Sequence, residues 1–278
     1  MKTAINLGFG FPELSIPEQL RHIREAGFDA IFNRWNKPGD AQLTARAVDA
    51  AGLFIQSIHA PHTGTAHIWQ DTAAGEAAIE ELLTCLRECH EVGVTLMISH
   101  VYIGFDPEHP TELGLQRFEK LLDEAQKLNI RIAFENAEGE KYLSAVRDRF
   151  WSHPQAGFCI DTGHACCYDI GLDFLAKYGD KLIATHINDN EGITGSEIAA
   201  IDDAHLMPFD GAVDWEHVTK MIAATGFDGI LTLELKNRNM PGRHTHDIYA
   251  HLDCPSFLNL AHAKALRVAA MIESARYR

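Results

Sequence analysis

Cysteine is scarce in this chain: six thiols in 278 residues, none in a C-x-x-C pair. That excludes a disulfide scaffold and a cysteine-rich structural zinc site. Cys85 and Cys89 lie four apart in a stretch with helical spacing, Cys254 is isolated, and the adjacent Cys166 and Cys167 read as small buried hydrophobes. Basic side chains are scarce too. Lys and Arg number 24 against 39 Asp and Glu, a formal charge of −15, and no loop carries a basic run. Such a surface repels phosphate backbones, so no nucleic-acid partner is expected, although one small anion held by local donors is compatible with it. No stretch approaches 18 uninterrupted apolar residues, and the opening MKTAINLGFGFPELS has no charged segment followed by a long apolar one. A soluble, cytoplasmic protein with no membrane partner is expected. Linkers and low-complexity tracts are also missing, so residues 1–278 read as a single domain.

What is present is alternation. Short apolar or β-branched runs occur at Thr3–Leu7, Asp29–Phe32, Phe54–His59, Thr95–His100, Ile130–Glu135, Gly157–Asp161, Leu182–Ile187 and Gly229–Leu235. Between them, apolar spacing near i, i+3, i+4 predicts helices over Pro17–Ala26, Ala41–Ala51, Glu76–Val92, Glu112–Leu128, Lys141–Phe150, Leu172–Tyr178, Trp215–Ala224 and Ser256–Ala275. Ser15 ahead of Pro17, with Glu18 three residues on, is a capped start. The near repeats EAGFDAI, Glu25–Ile31, and ATGFDGI, Ala224–Ile230, each place Gly after a helix and then enter a strand, as if one βα unit were used twice. Eight strands alternating with eight helices predict an α/β fold of the (β/α)8 TIM barrel kind, because parallel strands need helical crossovers. A doubly wound sheet is the rival, but Gly8-Phe9-Gly10-Phe11 lacks the third glycine of a dinucleotide fingerprint.

The strands end on a particular set of residues: His59, His100, Glu135, Asp161, His186 and Glu234. In a barrel the C-terminal strand ends share one mouth, so side chains 25 to 48 residues apart in sequence become neighbours there. One His or Glu at a strand end is usually a solvated residue. Six on consecutive strands are different, since grouped carboxylates cost several kcal/mol each in desolvation and repulsion unless a cation or proton compensates. Imidazole with carboxylate suits Zn²⁺, Mn²⁺, Fe²⁺ or Co²⁺. His164 follows Asp161 by three residues in the sixth strand's loop, and DDAHLMPFDG supplies Asp203 and His205, which complete a set of nine candidate ligands. His22, His90, His217 and His262 lie in helical stretches and read as surface residues, whereas His62, His67, His244 and His246 lie in loops near the mouth, where substrate contact is one reading.

The motifs AFEN, DTGHA, HINDN, DAHLMPFDGAVDW and LELK resemble, in the same order, the strand-end motifs of the xylose isomerase-like TIM barrel superfamily of sugar isomerases and epimerases, which includes the endonuclease IV branch. The likeness runs from about the third strand to the eighth. For the ketose epimerase branch it implies one divalent ion held by Glu135, Asp161, His186 and Glu234, with His164 near substrate. For the endonuclease branch it implies up to three ions on all nine residues, which leaves the metal count open. The cofactor expectation is thus a divalent metal, Mn, Zn, Co, Fe or Mg. The activity expected is isomerisation or epimerisation of a sugar or sugar phosphate by proton transfer through an enediolate. Glu135 and Glu234, on opposite sides of the mouth, would serve as base and acid, with His164 beside them. Lys236, Arg243 and His62 are the candidates for holding substrate. The alternatives are a metal-dependent phosphodiesterase or abasic-site endonuclease, disfavoured by the acidic balance, and a barrel that binds a metabolite without turning it over. An apolar face on Glu76–Val92 is compatible with a homo-oligomer, although every barrel helix has one.

Overall fold

A computed structural model describes the chain except at residues 106–108, 169–170, 196 and 278. It is a (β/α)8 barrel. The strands are β1 (Thr3–Asn6), β2 (Ala30–Arg34), β3 (Phe54–His59), β4 (Leu96–His100), β5 (Arg131–Glu135), β6 (Ala156–Asp161), β7 (Leu182–His186) and β8 (Leu231–Leu233), all paired parallel in the order β7-β6-β5-β4-β3-β2-β1-β8. Just past β7 the ring closes. Ile187 bridges to Leu233, donating its N–H to the Thr232 carbonyl at 2.8 Å and accepting from the Glu234 N–H at 3.2 Å.

The α-helices are α1 (Ile16–Ala26), α2 (Asp40–Ala50), α3 (Ala73–Glu91), α4 (Glu112–Leu128), α5 (Glu140–Phe150), α6 (Thr162–Cys167), α7 (Phe174–Tyr178), α8 (Trp215–Ala224) and α9 (Cys254–Arg276). The start of α1 is the capping box expected from Ser15 and Glu18. Both repeat glycines, Gly27 (φ 102°) and Gly226 (φ 74°), take the left-handed conformation that turns a helix into a strand, so the repeat encodes one αβ turn used twice. At Gly27 a side chain would also strike His262, whose ring packs edge-on against Phe28 at 4.9 Å. His262 is therefore half-buried packing and not the surface residue that its helical setting suggested, and His22 is half-buried as well. Among the described residues no helix is long and apolar enough to cross a membrane.

Period-2 geometry builds the floor of the mouth. Residues two apart on a strand point to the same face, so Ile98, Ala133, Cys159 and Ala184 lie one layer below His100, Glu135, Asp161 and His186. These four make a small, fully buried apolar cluster of their own. Ligand-type side chains thus stand on a dry base. Cys159 belongs to that base, and the other cysteines are free thiols, buried except for the half-buried Cys166.

Candidate metal centre and active site

Glu135 is the hub of the mouth. It is 1% exposed, with Oε1 2.8 Å from Nδ1 of His186 and Oε2 3.1 and 3.2 Å from Nε2 of His100 and His59. Nδ1 of His186 also lies 3.0 Å from Oε2 of Glu234. Both carboxylates, Glu135 at the end of β5 and Glu234 just past β8, thus reach one imidazole nitrogen. Donor atoms of Glu135, Asp161, His186 and Glu234 all lie within 4.8 Å of one another. Three overlapping triads meet the same limit: His59–Glu135–His186, His100–Glu135–His164 and His164–Asp203–His205. The structure therefore brings together all nine residues that the sequence singled out as ligand candidates.

Short-range geometry aims these groups. Asp161 caps α6, its Oδ1 accepting from the His164 N–H at 2.7 Å, so the expected loop after the sixth strand is a helical turn and His164 rides on it. Gly163 in that turn leaves room for Asn188, whose Nδ2 donates to Oδ2 of Asp161 at 2.8 Å. Three histidines have Nδ1 against a backbone carbonyl: His59 on Ala60 (2.7 Å), His164 on Asn136 (2.8 Å) and His205 on Glu234 (3.0 Å). A carbonyl only accepts, so each Nδ1 carries a proton and Nε2 is the atom left to face a carboxylate: Glu135 for His59, and Asp203 for His164 and His205. His205 holds this pose at φ 53°, a left-handed conformation disfavoured for a residue with a side chain.

Asn190 holds that strained turn. Fully buried, its Oδ1 accepts from the N–H groups of Ala204 (2.7 Å) and His205 (2.9 Å). Asn190→Ala strands two buried donors, and denaturant unfolding is expected to show a loss of about 2–4 kcal/mol. An unchanged midpoint would show that Asn190 does not hold the turn.

The electrostatics are those of a site short of positive charge. Burial raises the pKa of Asp161, and the neighbouring Glu135 adds to the rise. Burial disfavours charge on His186, yet Glu135 and Glu234 outweigh it and lift its pKa to about 10. Burial likewise opposes ionisation of Glu135, but His186 and His100 hold it well below the usual carboxylate range. At His100 burial wins and takes the pKa down to about 4. The carboxylates thus keep their charge by holding a proton on His186, where a divalent ion would do the same. The residues fit such an ion on two counts: the donor set is imidazole and carboxylate, and three of the imidazoles have Nδ1 fixed on a backbone carbonyl, which leaves Nε2 as the atom that would ligate on giving up its proton.

A cavity of about 100 Å³ opens over the cluster, lined among others by His62, Lys236, Tyr168 and Glu138. Larger hollows of about 300 and 520 Å³ lie outside the ligand cluster, so the chemistry, and not size, marks the site. Lys236 lies 3.3 Å from both the carbonyl O and Oδ2 of Asp203. Arg243 is a correction: it turns away to Asp202 at 2.8 Å, because that buried carboxylate needs a counter-charge, and it does not line the cavity. His67 and His244 are exposed beside Gln70 and Asp247, and His246 is buried against Tyr249.

Sequence reading missed Arg34, which lines the cavity and pairs with Oε1 of Glu234. The signal was there: β2 runs two residues beyond the expected Phe32 and ends on Arg34, a strand-end polar residue like the others. It also passed over Asn136, Asn188 and Asn190, although AFEN and HINDN spell them out beside the ligands.

Residues 20–253 match the family model described as xylose isomerase-like TIM barrel. The uncharacterized protein y4fM of Sinorhizobium fredii is 33% identical, covering 94% of this chain and 92% of its own length. A xylose isomerase domain protein from Planctomyces limnophilus superposes with a TM-score of 0.71 at 16% identity over 98% of this chain and 96% of its own. A D-psicose 3-epimerase determined in the presence of D-fructose does so with 0.70 at 13% identity over 98% and 99%. With its strand order, its cluster of strand-end His, Asp and Glu residues and this match over most of its length, the chain belongs to the xylose isomerase-like TIM barrel family.

Proposed function

We propose that the protein is a divalent-metal-dependent isomerase or epimerase of a sugar or sugar phosphate. The observation that carries this reading is the convergence of Glu135 and Glu234 on one imidazole nitrogen, with Asp161 within reach of the same point. Similarity of fold to a D-psicose 3-epimerase supports it. A cation bound among these groups would supply the positive charge that polarises the substrate's carbonyl and hydroxyl oxygens. The chain supplies the rest. Glu135 and Glu234 bracket the reacting carbon, one taking the proton beside the carbonyl and the other returning one, as the enediolate forms and collapses. His164, held by Asn136 and Asp161, faces the same space. The apolar layer below gives the site a dry floor.

A second reading, a phosphoester hydrolase, draws on the remaining donors. His59 and His100 on Oε2 of Glu135, and the separate triad of His164, Asp203 and His205, exceed what one ion uses. Metal content separates the two readings. Protein purified without chelator is expected to hold about one ion per chain and to turn over a ketose or ketose phosphate, with Glu234→Gln slower by about 10²–10⁴-fold. Two or three ions per chain, with metal-dependent nicking of abasic duplex and no sugar turnover, would select the hydrolase instead.

A further inference from the structure

Two basic side chains stand on the wall of the mouth, Arg34 at the end of β2 and Lys236 just past β8. Each leans on a carboxylate that belongs to a candidate donor group: Arg34 on Glu234, and Lys236 on Asp203 at 3.3 Å. A carboxylate shared with a divalent ion holds a guanidinium or ammonium less strongly, so loading the centre leaves both groups with donors to spare, from five on Arg and three on Lys. A neutral sugar needs neither, since neutral amides and hydroxyls satisfy its hydroxyl groups at lower desolvation cost. Two cations on one cavity match a planar or tetrahedral oxyanion. Lys236 also lines the neighbouring hollow of about 300 Å³ between the β1–α1 and β8–α9 loops, where Arg238 adds a third positive side chain. The mouth cavity alone, at about 100 Å³, is smaller than the roughly 300–1,000 Å³ of ordinary ligand pockets, so a substrate has to reach beyond it.

We infer that Arg34 and Lys236 form an anion subsite for the phosphate of a phosphorylated sugar, which makes a sugar phosphate, and not the free sugar, the substrate class. This rests on the sugar-directed reading above. The test is equilibrium binding to metal-loaded protein with three probes: D-fructose 6-phosphate, D-fructose and inorganic phosphate. The phosphorylated sugar is expected to bind at least about tenfold more tightly than the free one, as charge-assisted hydrogen bonds do. Arg34→Met and Lys236→Met should each remove most of that preference, compared in samples brought to the same metal content as the wild type, and Arg34→Lys should keep part of it. Equal binding of the two sugars overturns the subsite. So does a preference that survives both substitutions, because bound metal alone would then be holding the phosphate. If neither sugar binds but inorganic phosphate does, and that binding falls in the variants, the subsite stands and the sugar reading fails. If none of the three probes binds, the subsite falls.

Discussion

Glu135→Gln is expected to lower kcat/KM by about 10²–10⁴-fold in protein reconstituted with metal, and to weaken metal retention at the same time. The carboxylate has two duties. Its oxygens face His186 at 2.8 Å and His100 and His59 at 3.1 and 3.2 Å, so its charge organises three imidazoles besides serving as base or acid. The glutamine is nearly isosteric but neutral, and its NH₂ would point a donor where only acceptors belong. Steady-state kinetics with metal analysis of the same sample checks both effects. Turnover at the wild-type rate would remove Glu135 from the proton-transfer role, whatever happens to the metal.

Metal-free protein is expected to lose stability as pH rises from about 6.5 towards 10, and metal-loaded protein to lose much less. The sign follows from His186, whose pKa goes from the ordinary 6.5 to about 10 in the folded protein because Glu135 and Glu234 overcome the effect of burial. A group raised on folding stabilises fully below its unfolded pKa, and that contribution fades as pH passes through the folded value. With an ion in place there is no such proton to lose. For the same reason, loading at neutral pH must expel at least about one proton per chain, and affinity must rise with pH. Calorimetric titration of metal into chelator-treated protein, in buffers of differing ionisation enthalpy, measures the released proton. Thermal melts of both forms across pH 6–10 measure the stability change. Parallel melting curves with no proton release would show that the ion does not bind at His186.

The barrel and the gathering of the candidate ligands at its mouth are legible in the sequence because the same periodicity writes both. A strand that alternates towards a packed interior and ends on a polar residue announces its register and its exit point together, as MISH, IAFE and FCID do at His100, Glu135 and Asp161. Reading failed where local chemistry departs from that rule. The Thr-Gly pair after Asp161 looks like a bend, because glycine is a poor helix former, yet the Asp161 cap and the packing of Asn188 against Gly163 make it helical. The last apolar residue of strand two is Phe32, but pairing with β3 carries the strand on to Arg34, opposite His59. Arg243, a candidate for holding substrate, lies off the cavity. Its real partner, Asp202, is buried in a short turn that nothing in the local sequence marks as dry. Asn136, Asn188 and Asn190 show the deepest limit: an asparagine's value lies in which polar groups it meets, and that is fixed only when distant loops come together.

The gathering of a cation by Glu135, Asp161, His186 and Glu234 is tested most directly by anomalous diffraction from crystals grown with Zn²⁺ or Mn²⁺, measured at the metal's absorption edge. The expected result is a strong peak about 2.0–2.3 Å from donor atoms of these four residues, lost in Asp161→Asn. A mouth without a peak, or an ion bound only elsewhere on the chain, would contradict it.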